Sequence, residues 1–174
     1  MKNPLISIVM GSDSDLSQMK SCADMLEYFK ISFEITILSA HRTPEKTMSY
    51  SKSLIKRGIQ VVIAGAGGAA HLPGVIAAYT TIPVIGVPME TSSLSGIDSL
   101  YSIVQMPKGI PVATVAIGKG GAANAAILAA EILALKDTAL SKRLLNHKKE
   151  IASEVSKKAL KLQKVGYKRY GGAV

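Results

Sequence analysis

The sequence predicts an α/β fold, a three-layer sandwich around a five-stranded parallel sheet with one long extra helix at its C-terminal end. Three observations predict it. Short apolar runs that read as strands alternate strictly with helical stretches, and the connections between them are short. Val61-Val62-Ile63 is the unbroken apolar run of a strand covered on both faces. The residues able to do chemistry gather directly after the predicted strands, at the edge where open parallel sheets bind ligands.

The elements follow in order. Residues 5–10 are an apolar run ending at Gly11 and form strand 1. Gly11-Ser12-Asp13-Ser14-Asp15 supplies good N-cap residues, and in the helix that follows Met19, Cys22, Leu26 and Phe29 fall on one face. Residues 33–38, rich in β-branched and aromatic side chains, form strand 2. Thr43 can cap the next helix and Pro44 fits its first position, so it runs over 44–57 and ends at Gly58. Strand 3 spans 61–66, and a helix over 73–80 follows. Strand 4 lies within 83–88, between prolines. Residues 92–96 are a polar loop, 97–106 a helix, 112–117 strand 5, and 122–135 an alanine-rich helix into which Gly118-Lys119-Gly120-Gly121 leads. Five strands in this alternation suggest the flavodoxin-like doubly wound order. A last helix over 141–165 is surplus to it. Leu144, Leu145, Ile151, Val155 and Leu160 recur among its charges, so it needs a surface, either on its own domain or on another subunit. Residues 166–174 read as a loose end. The chain as a whole, 1–174, reads as a single domain, with 136–174 a basic helical extension.

Composition narrows the function classes. Hydrophobic residues make up 48% and charged residues 19%, which is a globular balance. One cysteine, Cys22, excludes an intramolecular disulfide framework and fits a reducing, cytoplasmic setting. The N-terminal apolar run is too short for a signal peptide, and no stretch has the length of a membrane span. The formal charge of +9 is local: residues 136–174 hold eleven Lys/Arg against three Asp/Glu, so residues 1–135 carry only +1. The tail lacks interleaved aromatics and reads as a solvated helix face, not a nucleic-acid surface.

The strand ends present a consistent chemistry. A Gly-Ser-x-Ser turn at a helix N-terminus offers backbone N–H groups and hydroxyls to an anion. Arg42 adds a planar fork suited to phosphate, and Asp15 suits the hydroxyls of a sugar. The same Ser12, Ser14 and Asp15 also read simply as a helix cap. His41, beside Arg42, stands near the body of any ligand whose phosphate Arg42 holds. An imidazole can take and return a proton near neutral pH; a lone loop histidine is more often only hydrogen-bonded, and the neighbouring arginine improves on that. His71 ends the run Ala64-Gly65-Ala66-Gly67-Gly68-Ala69-Ala70, whose glycines let backbone approach a ligand. Two histidines at this spacing do not make a metal site, and Gly118-Lys119-Gly120-Gly121 lacks P-loop spacing. The ligand these features fit is a phosphorylated sugar or nucleotide.

Gly11 to Asp15, Ser39-Ala40-His41-Arg42-Thr43-Pro44, Ala64 to Gly74, the run from Leu94 to Pro107 and Ala116 to Ala126 together resemble the N5-carboxyaminoimidazole ribonucleotide mutase branch of the phosphoribosylaminoimidazole carboxylase family. The resemblance covers residues 5–135, in order and without gaps. It implies a cofactor-free and metal-free isomerase of purine biosynthesis that moves a carboxylate from the exocyclic nitrogen of an aminoimidazole ribonucleotide to ring carbon 4. It implies that His41 shuttles the proton, with His71 also in the catalytic pair. Ser12 and Asp15 match positions that bind substrate, with Asp15 on the ribose. Ser14, Ser39 and Arg42 would hold the phosphate, and Gly67, Gly68 and His71 would wall in the migrating carboxylate. A homo-octamer is implied, with the C-terminal helix reaching a neighbour. Position 13 is Asp where some relatives carry Lys, which weakens the positive field between the two serines.

Three other readings compete. The nearest is direct carboxylation of aminoimidazole ribonucleotide by CO2. A flavin-binding electron-transfer module is disfavoured because there are few aromatics to sandwich a flavin. A basic nucleic-acid binder would show steep salt dependence, and the confinement of charge to the tail argues against it.

Overall fold

The computed structural model describes residues 3–171. Its elements are β1 (Ile6–Met10), a 3-10 turn (Asp13–Asp15), α1 (Leu16–Tyr28), β2 (Phe33–Ile37), α2 (Pro44–Ser53), β3 (Val61–Ala66), α3 (Leu72–Tyr79), β4 (Val84–Pro88), α4 (Ile97–Val104), β5 (Ala113–Thr114), α5 (Gly118–Ala134) and α6 (Thr138–Val165). The strands are parallel in the order β2-β1-β3-β4-β5, the flavodoxin-like order expected. Register aligns Met10 with Ile37 on one side and with Gly65 on the other. The chain therefore leaves β1, β2 and β3 at one edge of the sheet, and the loops that follow them meet there.

Side-chain alternation divides the core in two. Ile6, Ile8, Met10, Val61 and Ile63 face α1, α5 and the base of α6. Val9, Val62, Ala64 and Val84 face the other way, onto Leu72 and Ile76 of α3 and Ile103 of α4. Met19, Cys22, Leu26 and Phe29 are all fully buried, as their helical spacing predicts. Ala122, Ala125, Ala126, Ala129 and Ala130 are buried too, and their small side chains let α5 lie close against the sheet and α1.

Strand 5 and the start of α5 differ from the sequence expectation for the same reason. Strand 5, expected over 112–117, pairs only through Ala113 and Thr114, with one further bond from Val115 N to Gly86 O. The chain then folds back, and α5 starts at Gly118, four residues earlier than expected, so the glycines form its first turn instead of leading into it. A Cβ on Gly121 would sit 1.6 Å from the Ala116 carbonyl oxygen, so only glycine allows this backbone-on-backbone contact. The helix expected over 44–57 is regular to Ser53 and closes through tighter turns to Gly58.

α6 begins at Thr138 because Asp137 caps it: Asp137 Oδ1 accepts from the N–H groups of Ala139 and Leu140, both at 2.9 Å. Its 28 residues span about 42 Å. Only Leu140 and Leu144 are buried. His147 stands against Tyr28 and Phe29, Glu150 accepts from the Tyr28 hydroxyl, and Lys148 pairs with Glu131 at 3.2 Å. Beyond that base Ile151, Val155 and Leu160 are 48%, 61% and 65% exposed. Of the segment 166–174, residues 172–174 lie outside the described residues. No helix among the described residues is long and apolar enough to cross a membrane.

Lys30, just past the end of α1, has φ of 55°. Lys30 N bonds to Glu27 O and Ile31 N to Leu26 O, closing the helix in the way that usually recruits glycine. A side chain here costs roughly 1 kcal/mol.

Candidate active site

The loops after β1, β2, β3 and β4 enclose a cleft of about 500 Å³. It is lined by Ser12, Ser14 and Asp15 from the first loop, Ser39, His41 and Arg42 from the second, Gly67 and His71 from the third, and Glu90, Thr91 and Ser92 from the fourth. Eight of the nine residues singled out from sequence thus meet in one place. The ninth, Gly68, is turned elsewhere. Its N–H donates to Ser99 Oγ at 3.0 Å and its carbonyl accepts from Ser102 Oγ at 3.3 Å, so it is held by α4 behind the cleft wall. Its φ of 65° is the backbone conformation that favours glycine.

The turn carrying His41 and Arg42 is tied by its own hydroxyls. Thr43 Oγ1 accepts from Ser39 N and donates to Ser39 O, each at 3.1 Å. Thr47 Oγ1 reaches the carbonyls of both Ser39 and Thr43. Thr43 therefore flanks the helix without capping it through its side chain. Ser39 Oγ accepts from Arg42 N at 3.1 Å and Arg42 Nε at 3.3 Å, and Arg42 Nη2 donates to Gly11 O at 3.0 Å. With both lone pairs of Ser39 engaged, its O–H remains a donor for a ligand. The guanidinium is fixed to Ser39 and to the backbone just past β1, where it lines the cleft.

His41 Nε2 lies 2.7 Å from His71 Nδ1, with the rings 70° apart. One nitrogen must carry the hydrogen of that bond, and the bond fixes the orientation of both rings. His71 sits directly before α3, where Val75 N bonds to its carbonyl.

At the first loop the two readings of the sequence coincide. Ser12 Oγ accepts from Ser14 N, and Asp15 Oδ2 accepts from Ser12 N at 3.2 Å, a reciprocal cap. The same side chains line the cleft. Burial raises the Asp15 carboxyl above the usual carboxylate range, against the hydrogen bonds from Ser12, Ser14 and Gly11 that lower it. Asp13 Oδ1 is engaged by the Ser12 hydroxyl and by Ser14 N. Asp13 lines a shallower neighbouring groove instead of the main cleft.

The sequence missed the fourth wall. Residues 92–96 read as a polar loop, yet the cleft takes Glu90, Thr91 and Ser92, with Glu90 N bonded to Gln18 Oε1 at 3.1 Å. The signal was their place just after β4, the same rule that located the other three loops. It also missed Ser99, a fully buried hydroxyl that donates to Met89 O at 2.8 Å and accepts from Gly68 N. That serine locks the glycine loop to the end of β4.

Comparison with known proteins places this geometry in context. The family model described as AIR carboxylase matches residues 5–154. The N5-carboxyaminoimidazole ribonucleotide mutase of Thermotoga maritima is 56% identical over 167 residues, covering 96% of this chain and 96% of that protein. The phosphoribosylaminoimidazole carboxylase of Schizosaccharomyces pombe is 52% identical over 170 residues, which is 98% of this chain but 30% of that protein. Among solved structures, Treponema denticola PurE superposes with a TM-score of 0.83 at 31% identity, over 91% of this chain and 98% of that one.

Proposed function

The chain belongs to the AIR carboxylase family, and we propose that it acts as an N5-carboxyaminoimidazole ribonucleotide mutase of purine biosynthesis. The observation that carries the reading is the convergence of Asp15, His41, Arg42 and His71 on one cleft. The end-to-end match with a mutase favours isomerisation over direct carboxylation, since the carboxylase relative shares only 30% of its length with this chain.

In the proposed reaction, Arg42, Ser39 and Ser14 hold the phosphate and Asp15, with Ser12, the ribose. The bond between the exocyclic nitrogen and the carboxylate breaks and CO2 is released within the cleft. His41 protonates the nitrogen. Ring carbon 4 attacks the CO2 and forms the new carbon–carbon bond, and His41 then recovers the proton from carbon 4. The proton cycles, and the step balances without oxidant or reductant. His71 holds the His41 ring in line and, with the bare backbone of Gly67, forms the wall around the migrating group.

Trapping CO2 demands a water-poor space. His41, Arg42 and His71 are exposed in the single chain. That exposure, with the uncovered apolar residues of α6, supports a homo-oligomer, an octamer in our reading, in which α6 packs on a neighbouring subunit, and the single free Cys22 fits a cytoplasmic setting.

The test supplies purified protein with the N5-carboxylated ribonucleotide, and separately with the uncarboxylated one plus bicarbonate. It follows the carbon-4 carboxylate, with no ATP added. Conversion of the first alone, lost in His41→Asn, is the expected result. Conversion of the second at low bicarbonate would move the chain to direct carboxylation.

A further inference from the structure

A second cleft, of about 720 Å³, lies at the opposite end of the sheet, where the strands begin. Its volume falls within the roughly 300–1,000 Å³ of small-molecule sites. Three cations line it: Lys30 after α1, Lys136 before α6, and Arg143 on α6. The one carboxylate there, Asp137, is already committed to the cap of α6. The floor is aliphatic and close-packed, with Ile31, Leu133 and Leu140 all buried. The Gln60 amide and the Ser32 hydroxyl lie at its sides.

Two features set this cleft apart from a chance gathering of surface lysines. Arg143 Nε is buried and has no hydrogen-bond partner among the described residues. Such a group normally finds one. Lys30 holds a backbone conformation in which glycine is the usual choice, so a cationic side chain is kept here against the local preference. The uncovered residues of α6, Ile151 and beyond, lie farther along the helix and take no part in the cleft.

We infer that this second cleft binds a phosphate monoester carrying a flat ring, the nucleoside monophosphate class. The cations receive the phosphate, the aliphatic floor receives the ring, and the Gln60 amide meets the polar edge of a base, as glutamine does with adenine. The ligand spans the base of α6 and the strand starts, so it also clamps α6 to the body.

AMP binding is measured by calorimetry on full-length Arg42→Gln protein, in which the catalytic cleft has lost its phosphate anchor. Saturable binding is expected, about tenfold or more weaker after adding Arg143→Gln, the loss of one charge-assisted hydrogen bond. Lys142→Gln, outside the cleft, leaves it unchanged. Lys30→Gly separates binding from folding: it raises the melting temperature by relieving the turn and still weakens AMP. Arg143→Gln in otherwise unaltered protein keeps full isomerase turnover. No saturable binding at millimolar AMP, or unchanged affinity in both the Arg143→Gln and Lys30→Gly proteins, overturns the site. Ribose 5-phosphate or inorganic phosphate binding as tightly as AMP overturns the ligand class.

Discussion

The cleft after the strands and the outer half of α6 are opposite kinds of surface. In the cleft, functional groups hold one another: Arg42 is tied to Ser39 and Gly11, His41 to His71, and Asp15 to Ser12. Along outer α6, Ile151, Val155 and Leu160 stand largely uncovered by the described residues. The first region is organised by the chain itself; the second is covered only in the oligomer proposed above. The difference teaches which properties to expect of a subunit and which only of an assembly.

That contrast can be broken or sharpened, beginning with its largest effect. His41→Asn lowers kcat by about 10²–10⁴-fold without lowering the melting temperature, because on the proposed mechanism it removes the proton carrier, and from a surface position. His71→Ala, which takes away the orienting partner and part of the proposed cleft wall, costs about 10–100-fold, a range borrowed from groups that orient histidine elsewhere. Equal losses in steady-state kinetics would make the two histidines one functional unit. On α6, the double substitution Ile151→Glu and Val155→Glu weakens subunit association by about a hundredfold or more, given roughly 1.5–3 kcal/mol for each apolar side chain buried. Light scattering reads the change, and an unaltered mass would mean that α6 stays free.

Ser99→Ala tests how the glycine loop is held. It orphans the Gly68 N–H and costs about 1–3 kcal/mol in denaturant unfolding, with kcat falling more than KM. The smallest effect belongs to Asp15. Its carboxyl is raised in the fold, so the folded state is favoured when the group is protonated. That advantage is complete below the ordinary carboxylate range and is lost as pH rises through the raised value. Asp15→Asn keeps an acceptor for Ser12 N and removes the charge. It should therefore raise the melting temperature at neutral pH, with a gain that disappears in acid, while substrate binding weakens.

Much of this was legible in the sequence for physical reasons. Val61 to Ile63 had to be buried on both faces, and strand ends had to carry the ligand groups, so the topology and three walls of the cleft followed. What escaped depended on backbone geometry or on contacts distant in sequence. Residue types alone do not reveal that the backbone after β5 turns so tightly that Ala116 O lies against Gly121 and α5 starts early. Nothing local to Gly68 reveals that Ser99 would claim its N–H. β5 is short for a related reason, because an edge strand has one neighbour and little to extend it once the chain turns back.

α6 is a lever. Its base runs from the Asp137 cap through Leu140, Leu144 and His147 to Glu150, and it aims an outer part of about 22 Å. A tilt of about 10° there carries the far end through about 4 Å, most of one helical turn. A substitution at the base that barely alters the fold of one chain would re-aim the tip by about the width of a side chain. In the proposed oligomer, the angle at which copies meet is therefore set partly by residues at the base of α6.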